Sequence, residues 1–364
     1  MDRRTFLGTA LSAPILAAMK REKFDAAAEV LAQAASSGRV HAASLCVRHG
    51  KETFARSFGA AATSDAMFLL ASITKTLTAA AVLTLVDRGK LRLEDPVAKF
   101  IPEFSAGPRS GITIAQLLTH VSGLPDQLPE NQDLRKRHAG LADFVQAAVR
   151  TPLLFDPGTK YSYSSMGILL ASEAAQRITS VTFSDFVDRA VFQPLEMKRA
   201  AMGLGRFKRE DIVPNQVENA APESGAGDPT AKEWDWNSPY WRALGAPWGT
   251  AHASAPDVAR FFAEFLHPTD RMMKAETAAL MVRNHNPQGF APRGLGFAMG
   301  SKAASPGCSE KTFSHSGSSG TFAWADPATE TVCVVLTTLP ARAATPHPYR
   351  VAGDLVAKAV GPEK

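Results

Sequence analysis

The stretch from Leu69 to Val86 carries a single charge, that of Lys75. Ala, Leu, Val and Thr fill it and neither Pro nor Gly interrupts it, so it reads as a helix, and one this apolar is buried. Ser72 stands at its first turn and Lys75 one turn further on. Side chains three apart on a helix share a face, so the amine can reach the hydroxyl. Leu69, Leu70, Ile73 and Leu77 surround the amine with hydrocarbon. Burial disfavours a charged amine and makes the neutral form a better proton acceptor. The helix N-terminus favours any negative charge that develops at Ser72. The pair therefore reads as a serine nucleophile with its own base. An N-cap serine followed by a solvated lysine gives the same four-residue pattern, so the chemistry requires partners elsewhere in the chain.

The 364 residues are 45% hydrophobic and 21% charged, ordinary globular composition for one large domain or two intimate ones. The net charge of +5 is mild. No long basic run and no basic–aromatic interleaving occurs, so no nucleic-acid partner is expected. Met1-Asp2-Arg3-Arg4-Thr5-Phe6-Leu7-Gly8 and the short apolar run to Met19 resemble a bacterial twin-arginine export signal. Residues 1–22 are read as that signal, and the protein as periplasmic or otherwise exported. The run is too short for a membrane span, and no later segment is apolar enough for one. Of the three cysteines, Cys46 and Cys333 lie in strand-like apolar runs and read as small core residues; Cys308 is the third. There is no cysteine pair at zinc spacing and no His-Glu-x-x-His, so neither metal nor cofactor is expected.

Along the chain, residues 23–36 read as an amphipathic helix. Ala42 to Arg48 and Thr53 to Phe58 form a hairpin around His49-Gly50-Lys51. The helix of Ser72 closes at Arg88-Gly89. Further helices are expected over 112–120, 141–151 and 168–178. The last of these follows the turn Asp156-Pro157-Gly158-Thr159 and the polar cluster Tyr161-Ser162-Tyr163-Ser164-Ser165. From Gly203 to Thr250 periodicity is lost, yet four of the five tryptophans fall there. Such an aromatic loop is expected to drape over a pocket and form its apolar wall, or else to pin itself to the surface by its rings. Helices follow over 258–266, 275–282 and 349–360, and strands over 294–299, 312–315, 321–326 and 332–337. The fold expected is α+β: an antiparallel sheet shared by the early hairpin and the late strands, flanked by helices, with a helical subdomain inserted. Within one catalytic domain over 23–364, the sheet lobe takes 23–70 and 290–364 and the helical lobe 71–289, with the Trp-rich loop at 204–250. The site falls where lobe meets sheet.

Three pieces then stand together: Ser72-x-x-Lys75, Tyr163-Ser164-Ser165 and His315-Ser316-Gly317. In this order they resemble the motifs of the β-lactamase-like serine hydrolases, which include class C β-lactamases, D,D-peptidases and family VIII esterases. Leu117 to Pro125, Leu91-x-Leu93-x-Asp95-Pro96, Pro157 to Ser164 and Gly294-Leu295-Gly296-Phe297 extend the resemblance over nearly the whole chain. The resemblance implies Ser72 as the acylated nucleophile and Lys75 as the group that takes or relays its proton. It implies Tyr163 as base towards the nucleophile and acid towards the leaving group. His315, Ser316 and Gly317 would line the cleft opposite. The backbone N–H groups of Ser72 and Ser318 would form the oxyanion hole, typically worth roughly 3–4 kcal/mol of barrier per donor.

Two residues depart from the pattern. Ser165 stands where the family has Asn, and offers one hydroxyl in place of an amide. His315 stands where β-lactamases have Lys, and a neutral imidazole pairs poorly with a carboxylate. Both point towards ester hydrolysis, with small amides or peptides as the alternative substrates of a D,D-peptidase, D-amino-acid amidase or weak β-lactamase. A relative that binds ligands without turning them over is the reading from another class. Ser72, Lys75 and Tyr163 together count against it.

Overall fold

In a computed structural model of the protein the described residues are 13–361, with side chains from Lys23 onward. The export-signal reading of residues 1–22 lies outside the described residues, except that the backbone of 13–22 opens the first helix. The helices are α1 (Ala13–Ser36), α2 (Thr74–Asp87), α3 (Ile114–Leu118), α4 (Asn131–Lys136), α5 (Leu141–Arg150) and α6 (Ser165–Thr179). After them come α7 (Phe183–Val187), α8 (Pro239–Ala243), α9 (Ala255–Ala263), α10 (Ala275–Met281) and α11 (Pro348–Val360). The strands are β1 (Ala42–His49), β2 (Glu52–Gly59), β3 (Phe68–Leu69), β4 (Ala200–Met202) and β5 (Ala251–Ala253). The later ones are β6 (Ala298–Met299), β7 (Phe313–Gly317), β8 (Thr321–Asp326) and β9 (Thr331–Thr337).

The early hairpin and the late strands do share one sheet. Its order is β2-β1-β9-β8-β7-β6, antiparallel throughout, with β1 paired to β9 from Ala43↔Thr337 to His49↔Thr331. Val332, Cys333, Val334, Val335 and Leu336 are all buried, because β9 is central and both its faces are covered; such strands read as unbroken apolar runs. One face carries α1 and α11, and α9 packs on β1, β8 and β9. β2 is an edge strand with Glu52 and Arg56 along it, charges that discourage further pairing.

α2 runs through the middle of the molecule, and every residue from Thr74 to Leu85 is buried. Its first turn, Ala71–Ile73, is a 3-10 turn. The helix expected over 112–120 keeps only Ile114–Leu118, fixed by a capping box between Thr113 and Gln116. α6 starts earlier than its apolar run, at Ser165, because the Ser164 side chain accepts the N–H of Gly167 and caps it. Of the strand expected over 294–299, only Ala298 and Met299 pair, against Ser314 and Phe313. A second sheet, β3-β5-β4, was not expected. Its strands are two or three residues long, too short to show a period in the sequence. Among the described residues no helix is long and apolar enough to cross a membrane.

Of the two readings of the Trp-rich segment, the rings follow the one in which they fasten the segment to the protein, and they are buried in doing so. Trp234, Trp236, Trp241 and Trp248 are all buried. Phe144 packs on Trp248 at 5.4 Å between centroids, and the Arg135 guanidinium stacks 3.5 Å from the Trp241 ring. Indole rings lose more water contact by packing on helices than by walling an open cleft, and here the core takes them.

Candidate active site

Lys75 is 1% exposed. Its Nζ donates to Ser72 Oγ at 3.0 Å and to the Trp248 carbonyl at 2.9 Å. The segment around Trp248 is fastened along α2 by two more bonds. Thr78 Oγ1 donates to the Pro247 carbonyl at 2.7 Å, and the Ala251 N–H donates to Thr74 Oγ1 at 3.0 Å. What the Trp-rich segment gives this site is therefore backbone, not rings.

The turn that presents Ser72 is strained. Ala71 has φ +45°, a left-handed conformation that costs a residue with a Cβ about 1 kcal/mol. The surroundings hold it: Ser319 Oγ donates to the Leu69 carbonyl at 2.6 Å and Thr321 Oγ1 to the Leu70 carbonyl at 2.8 Å. This docks the β7–β8 turn against the nucleophile turn. The approach needs Gly317, since a Cβ there would lie 2.2 Å from Thr321 Oγ1 and 2.3 Å from the Leu70 carbonyl oxygen.

A cleft of about 290 Å³ opens at this junction. Ser72, Tyr163, Arg293, His315, Ser316, Gly317 and Ser318 line it, with the small side chains of Ala298, Ala303, Ser314 and Ala341. Ser318 lies one residue beyond the last ladder pair, Gly317↔Thr321. The Tyr163 ring lies among four groups, with centroid distances of 4.9 Å to Lys75 Nζ, 4.6 Å to the His120 ring, 6.2 Å to the His315 ring and 5.5 Å to the Arg293 guanidinium. Among the described residues no hydrogen bond joins the Tyr163 phenol to Ser72 or Lys75; catalytic bonds of this kind commonly tighten only once substrate is present. No group of three or more His, Cys, Asp and Glu side chains among the described residues is arranged to hold a metal ion.

Of the eight residues singled out in the sequence six line this cleft, and Lys75 joins them through its bond to Ser72. Ser165 does not line it. Its Oγ donates to Asp126 Oδ1 at 2.5 Å, and its N–H donates to the same oxygen at 3.0 Å. A hydroxyl tied to a carboxylate at the start of α6 cannot stand in for an amide that reaches the lysine, and the Trp248 carbonyl is what the amine meets.

His315 Nδ1–H donates to the Ser316 carbonyl at 2.8 Å. Burial, then Arg293 and Lys75, push its imidazole down to about 3, so the ring is neutral at neutral pH. Sequence reasoning missed Tyr161, Arg293 and His120. Arg293 donates through Nε and Nη2 to the Tyr161 hydroxyl at 3.0 and 2.7 Å. His120 is fully buried at φ +63°, and its Nδ1 accepts the Ser164 N–H at 3.2 Å next to Tyr163. The one local signal was a histidine at the end of a capped helix, just before the Ser122-Gly123 turn.

The buried histidines predict acid sensitivity. His252 and His315 are pushed to about 3 and His347 to about 4, and His120 falls well below its ordinary value, all chiefly by burial. Unfolded histidines take protons below about 6.5, while these stay neutral in the fold until far lower pH. Stability is therefore full above about pH 6.5 and is lost as pH falls from there towards 3, by about 1 kcal/mol per buried histidine at pH 5.5. Urea unfolding should show a loss of roughly 3 kcal/mol or more between pH 7.5 and 5.5; equal stability at the two pH values would contradict it.

Comparison with known proteins decides the family. The sequence model of the family described as Beta-lactamase matches residues 24–356. The chain belongs to the Beta-lactamase family. Similar curated proteins include Protein flp of Staphylococcus aureus (strain MW2), 27% identical over 54% of this chain and 41% of that protein. Esterase EstB of Burkholderia gladioli is 33% identical over 44% of this chain and 46% of its own. The chain thus spans less than half the length of these curated relatives in the matched region. Among solved structures of the Beta-lactamase fold, the hydrolase EstCE1 has a TM-score of 0.73 at 19% identity, covering 92% of this chain and all of that one. A penicillin-binding protein homologue from Caulobacter crescentus has a TM-score of 0.75 at 22% identity, covering 93% and 97%. D-amino acid amidase from Ochrobactrum anthropi SV3 has 0.73 at 22%, covering 93% and 98%. At such identities these structures speak for the fold alone.

Proposed function

We propose that the protein is an esterase that hydrolyses small carboxylic esters through an acyl-enzyme on Ser72. The observation that carries this reading is the contact of Lys75 Nζ with Ser72 Oγ at 3.0 Å inside a buried setting. Ser72 Oγ attacks the ester carbonyl, and Lys75 takes or relays its proton. The backbone N–H groups of Ser72 and Ser318 hold the oxyanion. Tyr163 protonates the departing alcohol, and water then releases the acid from Ser72 by the reverse path. The choice of esters over β-lactams and D-Ala-D-Ala peptides rests on the Ser165 hydroxyl, which is engaged by Asp126 where the family pattern has an amide free to hold a substrate carbonyl. Similarity to Esterase EstB supports it, as do the paired Arg3 and Arg4 for an exported location.

The test is a panel of short-chain nitrophenyl esters, a chromogenic cephalosporin and a D-Ala-D-Ala peptide. The esters should give kcat/KM at least about 100-fold above the other two, a gap of roughly 3 kcal/mol in barrier. Faster release of D-Ala from the peptide would replace the esterase reading with that of a D,D-peptidase.

A further inference from the structure

The wall of the cleft holds a cation with no acid to match it. Arg293 lines the cleft, and none of the other lining residues is Asp or Glu. Among the described residues its guanidinium makes no ion pair. Nε and Nη2 both donate to the neutral hydroxyl of Tyr161, and the buried Nη1 has no acceptor among the described residues. The other groups around it are the Tyr161 and Tyr163 rings, at 5.6 and 5.5 Å from the guanidinium carbon. Stacking on rings and bonding to a phenol hold an arginine in place without neutralising it. His315, in the same lining, adds no negative charge. The Lys75 amine does not line the cleft and is engaged by Ser72 and the Trp248 carbonyl. A cleft with low-dielectric walls and one unmatched fixed cation concentrates anions.

We propose that Arg293 makes this cleft selective for esters that carry an anionic group, a carboxylate in the first instance. The inference deepens the esterase reading and rests on it for turnover, though not for binding. A guanidinium attracts a carboxylate as a fixed charge, and Tyr161 fixes where that charge sits. Arg293 acts here on substrate choice, and the proposal adds nothing to the bond-making at Ser72.

The test compares two matched pairs of substrates. In one the acyl part is varied, as the 4-nitrophenyl monoester of glutaric acid against 4-nitrophenyl valerate. In the other the leaving group is varied, as 3-acetoxybenzoate against phenyl acetate. The quantity read is the anionic-to-neutral ratio of kcat/KM. In at least one pair it should fall about tenfold or more in Arg293→Gln, the scale of one hydrogen bond to a charged group. Arg293→Lys should keep part of it, since the charge survives. Raising the salt concentration should lower the ratio in the native enzyme only. A ratio that Arg293→Gln leaves unchanged in both pairs overturns the proposal, whatever the absolute rates do. Calorimetric titration of Ser72→Ala with glutarate monomethyl ester and methyl valerate separates this outcome from failure of the esterase reading. Tighter binding of the anion, lost in Ser72→Ala/Arg293→Gln, supports the subsite even if no ester is turned over; equal binding of the two overturns it.

Discussion

Ser72→Ala should lower kcat/KM for a nitrophenyl ester by roughly 10⁴-fold or more, the scale seen when a nucleophile that acts as one unit with its base is removed. Only one oxygen is lost, at the mouth of a cleft. The neighbouring amine keeps its second acceptor, the Trp248 carbonyl, so no buried charge is left without a partner. The strained Ala71 turn is held by Ser319 and Thr321 and does not depend on the hydroxyl. The melting temperature should therefore stay within a few degrees of the native value while turnover disappears. Any residual rate comes from binding and the oxyanion donors. A variant that kept a tenth of the native rate would remove Ser72 from the mechanism.

Lys75→Met should cost about 10³–10⁴ in kcat/KM, the upper range for removing a positioned general base. Its effect on stability should run the other way. Among the described residues no carboxylate pairs with Lys75, although the residue is 1% exposed. Its acceptors are an alcohol oxygen and a carbonyl. An amine in such a place is expensive to keep buried, and a thioether of similar volume removes the cost of desolvating it. Met should thus leave the urea midpoint unchanged or raise it while the rate collapses. That opposition separates a functional lysine from a structural one, because a structural lysine would lose stability and activity together. A variant that lost both in proportion, or neither, would contradict the role given to the amine.

Much of this arrangement was legible because the decisive contacts are local or follow from a strong pattern. Ser72 and Lys75 are one helical turn apart, and a helix with one charge announces where it must be buried. The β1–β2 hairpin and the apolar run of β9 placed the sheet, since period and burial leave their mark on strands of seven or eight residues. What stayed hidden was tertiary. The place of Ser165 after Tyr163 marks it as a site residue, and nothing in the sequence marks Asp126, 39 residues upstream, as its partner. Arg293 and Tyr161 are 132 residues apart. Either alone is an ordinary surface residue, and only together do they become a fixed cation on a cleft wall. The tryptophans showed how much apolar area the 204–250 segment had to bury, but composition does not say against what. The core took the rings and left the cleft a carbonyl.

The most direct test of the account is intact-protein mass spectrometry after brief exposure to a nitrophenyl ester or a fluorophosphonate, followed by peptide mapping. The native enzyme should gain a single acyl or phosphonyl group, mapped to Ser72, and Ser72→Ala should gain none. An adduct on another residue, or equal labelling of the two proteins, would contradict it.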